Sequence, residues 1–453
     1  MDKSLDRGLA LMSAWWYRHY VLGLLLLSYV VNVMDRSSVL AVSLQSIKAE
    51  FGASDTQLGL LSGIAFAVFF STMGIPIAAL ADRSSRRNVL AVSIAVWSGM
   101  TALCGTAVNF ATLFATRVGT AIGEAGGTPP SHSLISDYFP KTERGRAFAI
   151  FALGVPFGTA LGNFVAGQAV QAYGWRTTFV LVGLPGLLVA ALVYLTIKEP
   201  PRGLSDHAGT LRLKAETPGL LEALIVLWRR PAFRHLCLAT ALHAVAWYAS
   251  SAFNAAFLIR SHQMTATSAA NWLTLFAAVG GLGTFLGGYL SDRLSVRTND
   301  KRWYLWVPAI ATLSMVPFQF VAYLSGGLTP ALRSFAVMTF LAAVFFGPAF
   351  TMTQALATLR MRSVASSLLL FVQTIIGYGL GPLIAGNISD QLAPAYGAQS
   401  LRYALAIVGL VNVWSALHYM LGTRTLQADL AHAEEQCQGG RATATAALSP
   451  VKV

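Results

Sequence analysis

Four ionisable side chains of this 453-residue chain, Asp35, Arg36, Arg117 and Glu124, lie deep inside long apolar stretches. A charge at mid-bilayer costs about 2.5–3.5 kcal/mol on insertion scales, so charges kept there mark a proton or substrate path. Arg117 and Glu124 are seven residues apart, which places them on one helix face about 10 Å apart along the axis. Counted along oppositely running helices, Asp35 and Arg117 share one level, about 20 Å from the inner surface of a core about 30 Å thick. Glu124 falls two turns nearer that surface. A carboxylate beside a guanidinium stays ionised, whereas one desolvated without it takes up a proton. The spacing therefore predicts a proton switch in which Asp35 alternates between Arg117 and water. Glu124 is the second proton carrier, and Arg117 pairs with a carboxylate or an anionic substrate group. Arg36, about 100° around the helix from Asp35, pairs locally or lines the cavity. The proton is the only coupling species expected. No cofactor, catalytic residue or metal is, since Cys104, Cys237 and Cys437 form no ligand cluster.

The elements that must hold these charges follow from composition. Apolar residues make up 55% and charged residues 11%, against about 25% charge in soluble proteins, and mean hydropathy is +0.58. This excludes a disordered chain, a disulfide scaffold and a soluble enzyme. The net charge of +13 does not imply nucleic acid, because the basic residues sit in short segments between apolar spans. Twelve spans are expected, at 20–46, 55–81, 88–108, 110–138, 145–171, 175–197, 233–259, 267–291, 303–325, 331–356, 363–389 and 400–423. Backbone groups in lipid must bond internally, so the spans are helices. Twenty-five of the thirty-two Lys and Arg fall on the N-terminal side of the membrane and five on the other. The positive-inside rule then puts both termini in the cytoplasm.

The chain divides into an N-terminal segment 1–19, a six-helix bundle 20–197, a linker 198–232, a second bundle 233–425 and a disordered tail 426–453. Within the linker, 222–230 reads as a short helix on the inner membrane surface. The halves echo each other. Ala81-Asp82-Arg83 closes the second span, and Ser291-Asp292-Arg293 closes the eighth. Gly154, Pro156 and Gly158 in the fifth span answer Gly381 and Pro382 in the eleventh, small residues and prolines that permit close packing and bending. This is the plan of a duplicated secondary transporter: an all-α membrane protein of two six-helix pseudo-symmetric bundles around a central cavity. Asp82, with Arg83, Arg86 and Arg146, and Asp292 with Arg293, form a candidate cytoplasmic gate.

These residues resemble the major facilitator superfamily. Asp82-Arg83 with Arg86-Arg87 is similar to its loop signature, although Ala78 and Ser85 replace two usual glycines, and Gly154–Gly162 resembles its fifth-helix motif. Within it the chain resembles the spinster-like branch, through Asp35-Arg36, Leu58–Gly63, Arg117 with Gly123-Glu124-Ala125, Pro140 with Glu143–Arg146, and Gly379–Pro382. The resemblance implies a twelve-helix carrier that alternates between inward- and outward-open forms. It also implies a conformational gate at the matching Asp82, proton linkage, and lysophospholipid or sphingosine-type substrates, as in animal members.

No charge lies deep in the last six spans, which offer neutral and aromatic groups instead; Trp247, Asn254, Gln373 and Tyr378 are the candidate substrate contacts beside Arg117. Charge in one half and aromatic surface in the other suit an amphiphile, and equally a carboxylated aromatic or drug-like compound. A channel or receptor remains a different class of answer. The expected partners are membrane lipids and a small-molecule or lipid substrate. The expected setting is a bacterial inner membrane, with the monomer as the working unit.

Overall fold

The computed structural model describes residues 14–201, 220–358 and 361–446, and regular structure among them is entirely helical. Among the described residues, nine helical runs are long and apolar enough to cross a membrane. Two of them, Glu143–Thr196 with 54 residues and Val364–Ala433 with 70, are each long enough for two crossings at about 1.5 Å per residue. The fourth crossing is missing from the nine because it is built from two shorter helices. The chain therefore has twelve membrane helices.

Local chemistry sets the boundaries. The first span runs from Trp15 to Phe51 and ends at Gly52, whose φ of 61° is a left-handed cap that glycine adopts without strain. Ser54 then opens the second span with a reciprocal capping box to Gln57. Gly174, at φ 77°, separates the fifth span from the sixth. Several spans are interrupted. The first contains a π turn at Met34–Ser38, the second breaks at Gly63, and the eleventh contains a π segment at Gln373–Leu380. The fourth and tenth, which hold equivalent places in the two halves, break at 125–127 and 344–345.

The short linker helix expected at 222–230 is present as Leu220–Arg229. The tail departs from expectation, since Val411–Ala446 is one helix. Leu426, Leu430 and Ala433 recur at helical spacing and are buried, and Asp429 accepts the Ala232 backbone N–H at 2.7 Å. The segment expected to be disordered thus carries an apolar stripe that packs. Residues 1–13, 202–219 and 447–453 of the expected N-terminal segment, linker and tail lie outside the described residues.

Contacts sort the chain into two compact units. The first contains Met1–Leu213, Ala249–Ala278 and Pro382–Leu401, and the second contains Lys214–Tyr248, Val279–Gly381 and Arg402–Val453. The second half of the seventh span and the ends of the eighth, eleventh and twelfth thus belong to the unit built on the first six spans.

Candidate functional site

The fourth span positions two of the buried charges. Phe110–Glu124 carries Arg117 and ends on Glu124, and Thr128–Tyr138 resumes after a three-residue turn. Pro129 and Pro130 explain the break in the span expected to be continuous: neither has an N–H to bond back to the preceding turn. A Cβ at Gly123 would lie 2.5 Å from the Trp97 nitrogen, so glycine is what lets this span seat against the third.

Asp35 lies in the π turn of the first span. The fifth span reaches that turn through small residues. A Cβ at Gly158 would come within 2.7 Å of the Val30 carbonyl, and one at Gly162 within 3.1 Å of the Met34 Cα. The bend in the fifth span falls at Leu153, between Lys141–Ala152 and the helix starting at Gly154, with Pro156 in that helix's first turn. Gly154 and Gly158 therefore seat the first span just after the bend, while Pro156, in the same turn, is exposed. Gly381 and Pro382 directly follow the eleventh span's π segment.

Asp35, Arg117 and Glu124 are at most 1% exposed. The expected pairing of Asp35 with Arg117 takes another form. Arg117 donates through Nη1 to the Asp35 backbone carbonyl at 3.3 Å and through Nη2 to the Arg36 carbonyl at 2.8 Å. A π turn loosens the i→i−4 ladder, and the planar guanidinium fork takes up two of its carbonyls. All four carboxylate oxygens of Asp35 and Glu124 are buried without a protein hydrogen-bond partner. Arg117, Arg36 and the two carboxylates themselves supply the charge around this site. Arg36 is partly exposed and lies over the rings of Phe66 at 5.3 Å and Phe70 at 5.6 Å, a cation–π arrangement.

The expected gate residues differ in exposure. Asp82, Arg83 and Arg146 are exposed. Arg86 is 1% exposed and is held elsewhere, by Asp137, by Glu199 at 2.8 Å, by the Ser133 hydroxyl at 2.9 Å and by the Pro200 carbonyl at 2.8 Å. This network ties the start of the third span to the ends of the fourth and sixth. Glu199 also accepts the Ser85 hydroxyl and the Arg87 backbone N–H, both at 2.9 Å. Burial alone would raise the Glu199 pKa, but these donors outweigh it and hold the carboxyl below its usual range. In the second unit Asp292 accepts the Tyr304 hydroxyl at 2.6 Å, and Arg293 donates to the Tyr289 hydroxyl at 2.6 Å.

At the opposite helix ends the first unit contains a network that the sequence did not announce. Asp55, 2% exposed, accepts Arg260 at two points, 2.8 and 2.9 Å, Lys48 at 2.6 Å and the Ser389 hydroxyl at 2.6 Å. Asp390 accepts the backbone N–H groups of Asp55 at 2.9 Å and Thr56 at 2.8 Å, a carboxylate at a helix N-terminus. Segments from both halves of the sequence are locked together here.

Of the candidate substrate contacts, Asn254 belongs to the first unit and the other three to the second. Trp247 is 36% exposed. Gln373 is buried in the π segment with its Nε2 lacking a protein partner, and Tyr378 meets Tyr248 edge to face at 4.6 Å. His243, on the same helical stripe as Trp247, is a satisfied core residue, bonded to Asn412 at 3.0 Å and the Ala342 carbonyl at 2.9 Å.

The profile of the Major Facilitator Superfamily matches residues 25–382. The chain belongs to that superfamily. An MFS-type efflux pump of Mycolicibacterium smegmatis is 30% identical over 416 residues, covering 90% of this chain and 93% of its own length. Protein spinster homolog 1 of Xenopus tropicalis is 27% identical over 460 residues, covering 93% of this chain and 84% of its own. A solved bacterial homolog to the human lysosomal transporter spinster, inward-facing and unoccupied, has a TM-score of 0.85 at 33% identity. It covers 92% of this chain and 99% of that one. This superfamily member is therefore an integral, multi-pass carrier of the spinster-like branch and not an enzyme.

In this carrier sequence reasoning missed Asp55, Asp390, Asp137 and Glu199. Each stands at a span end, where an acid reads as punctuation, and each finds its partners far away in sequence. The available signal was local: Ser54 and Gln57 flank Asp55 in a capping pattern.

Proposed function

We propose that this carrier moves an amphiphile with an anionic or zwitterionic head across a bacterial inner membrane by alternating access, coupled to proton binding at Asp35 and Glu124. Lysophospholipid- or sphingoid-like molecules are the favoured substrates. The observation that carries the reading is the pair of buried carboxylates whose oxygens have no protein partner, beside a guanidinium already committed to backbone carbonyls. Burying an unpaired carboxylate is far more costly charged than protonated. Arg117 is enclosed, so Arg36, partly exposed, is the proposed cation for the substrate head. Trp247, Asn254, Gln373 and Tyr378 are retained as proposed substrate contacts. The basic segments support cytoplasmic termini, and the monomer is the proposed working unit.

The aromatic residues of the second half, Trp247 and Tyr378 among them, favour a second reading, a carboxylated aromatic or drug-like substrate. One assay tests both. The purified carrier is placed in liposomes, and flux of lysophosphatidylethanolamine and of a panel of aromatic carboxylates is measured with and without a pH gradient. Wild type should show saturable, gradient-dependent flux of one class. Asp35→Asn and Glu124→Gln should fold normally and lose the gradient dependence. Wild-type dependence in either variant removes that carboxylate from the mechanism.

A further inference from the structure

His243, 1% exposed in the seventh span, has an oxygen atom facing each of its ring nitrogens. Nε2 lies 2.9 Å from the Ala342 carbonyl and Nδ1 lies 3.0 Å from Asn412 Oδ1. A backbone carbonyl can only accept, so Nε2 carries a hydrogen in every state and the chemistry turns on Nδ1. With Asn412 presenting its oxygen, Nδ1 must donate as well, and a ring that donates from both nitrogens is an imidazolium. Behind it, Asn412 Nδ2 donates to Gln319 Oε1 at 3.3 Å, so the donors run outward from the ring in one direction. Loss of the Nδ1 proton reverses that direction. The two amides turn over, Asn412 donates to the bare nitrogen, and Gln319 donates to Asn412. Each amide carries both a donor and an acceptor, so the chain is satisfied in either state.

The surroundings suit the charged ring. Ala342 is next to last in Leu328–Ala343, whose final carbonyls lack intrahelical partners because the tenth span breaks at 344–345. Such a helix end favours a cation. Phe345, in the break, brings its ring to 4.6 Å from the imidazole, within cation–π range. A Cβ at Gly409 would lie 2.4 Å from both Cδ and Nε2 of Gln319, so a glycine beside the break of the twelfth span at Leu410 admits this amide. All of these residues belong to the second unit. The helices that meet here hold no Asp or Glu in Pro231–His262, Trp303–Leu324, Leu328–Ala343 or 400–422. Their ionisable groups face elsewhere. His235 and His418 bond each other, Arg402 donates to the Tyr323 and Ser325 carbonyls, Tyr248 meets Tyr378 of the eleventh span, and Arg234 and Arg333 are exposed.

We propose that His243 is a proton-binding site of the second unit, and that the Asn412 and Gln319 amides turn over with its protonation state. This goes beyond the coupled reading above, which uses Asp35 and Glu124. The test is solid-state nitrogen NMR of the full carrier in lipid, its histidines isotopically labelled, titrated between about pH 5 and 8. The His243 signals are those lost in His243→Gln and, independently, those in through-space contact with the Phe345 ring. Wild type should pass from one protonated ring nitrogen to two as pH falls. Asn412→Asp, whose carboxylate only accepts, should hold both nitrogens protonated across the range, and Asn412→Leu, which offers Nδ1 no partner, should hold one. A wild-type ring that keeps one N–H throughout, or two throughout, overturns the proposal, as does an Asn412→Asp ring that titrates like wild type. The readout involves neither substrate nor flux, so failure of coupling at Asp35 and Glu124 leaves it intact.

Discussion

Arg260 grips Asp55 with both terminal guanidinium nitrogens, at 2.8 and 2.9 Å, across 205 residues of sequence. The pair is almost sealed from solvent, and Lys48 and Ser389 complete the carboxylate's shell. Removing one partner of a buried pair leaves an uncompensated charge, at about 3–5 kcal/mol. Asp55→Asn should therefore destabilise the carrier by that order, and Asp55→Asn with Arg260→Met should cost far less than the two single effects added. Thermal unfolding in detergent, run as a double-mutant cycle, measures this. A coupling under about 0.5 kcal/mol would show that the pair does not lock these segments.

Arg117 reaches the first span through its backbone, and this separates two substitutions that a carboxylate–guanidinium pair would make alike. Asp35→Asn leaves both Arg117 hydrogen bonds in place, so the protein should keep wild-type stability while losing proton-dependent flux. Arg117→Lys keeps the charge but offers a point donor in place of a two-pronged fork. It should lose both thermal stability and at least about ten-fold in flux, the order expected for about 1.4 kcal/mol. Equal stability of wild type and Arg117→Lys would mean that the fork on the π turn is dispensable.

Glu199 links the third and sixth spans through Arg86, Ser85 and the Arg87 backbone. Its pKa is lowered on folding from the ordinary 4.5. A depressed acid stabilises the fold fully above its unfolded pKa, and that contribution is lost as pH falls through the folded value. Unfolding midpoints of wild type and Glu199→Gln should therefore differ most above pH 4.5 and converge below it. Parallel curves across that range would remove Glu199 from the network's energetics.

The twelve spans and the buried charges were legible in the sequence because each depends on local composition: apolar length for the spans, charge within an apolar run for Asp35, Arg117 and Glu124. The breaks were partly legible. Pro129-Pro130 could have marked the end of the helix at Glu124, whereas the π turn at Met34–Ser38 depends on the fifth span packing onto it through Gly158 and Gly162. Partner choice was not legible. Arg86 sits three residues after Arg83 in a basic run, and nothing local says that Asp137 and Glu199 will enclose it. The tail failed for a related reason: the polar residues after 426 hide the stripe of Leu426, Leu430 and Ala433, which becomes meaningful once a surface exists to receive it.

The second and eleventh spans meet at Gly59, where a Cβ would lie 2.2 Å from the Pro382 carbonyl oxygen. One turn away on the eleventh span, a Cβ at Gly386 would lie 2.0 Å from the Asp55 carbonyl oxygen. These are backbone contacts, so no side-chain rotation relieves them, and in lipid such close crossings supply the attraction that hydrophobicity does not. Asp55 and Ser389 lie on these two segments, and Arg260 of the seventh span reaches Asp55 there, so the crossing and the ion pair support each other. Gly59→Val should thus keep the helices apart at this end without unfolding either unit. Cysteines placed at Ser54 and Asn387 should label faster with a membrane-impermeant maleimide in Gly59→Val than in the otherwise wild-type background, and substrate flux should fall at least about ten-fold, equivalent to about 1.4 kcal/mol. Unchanged labelling together with unchanged flux would show that the crossing tolerates the side chain and that the close approach is not part of the transport cycle.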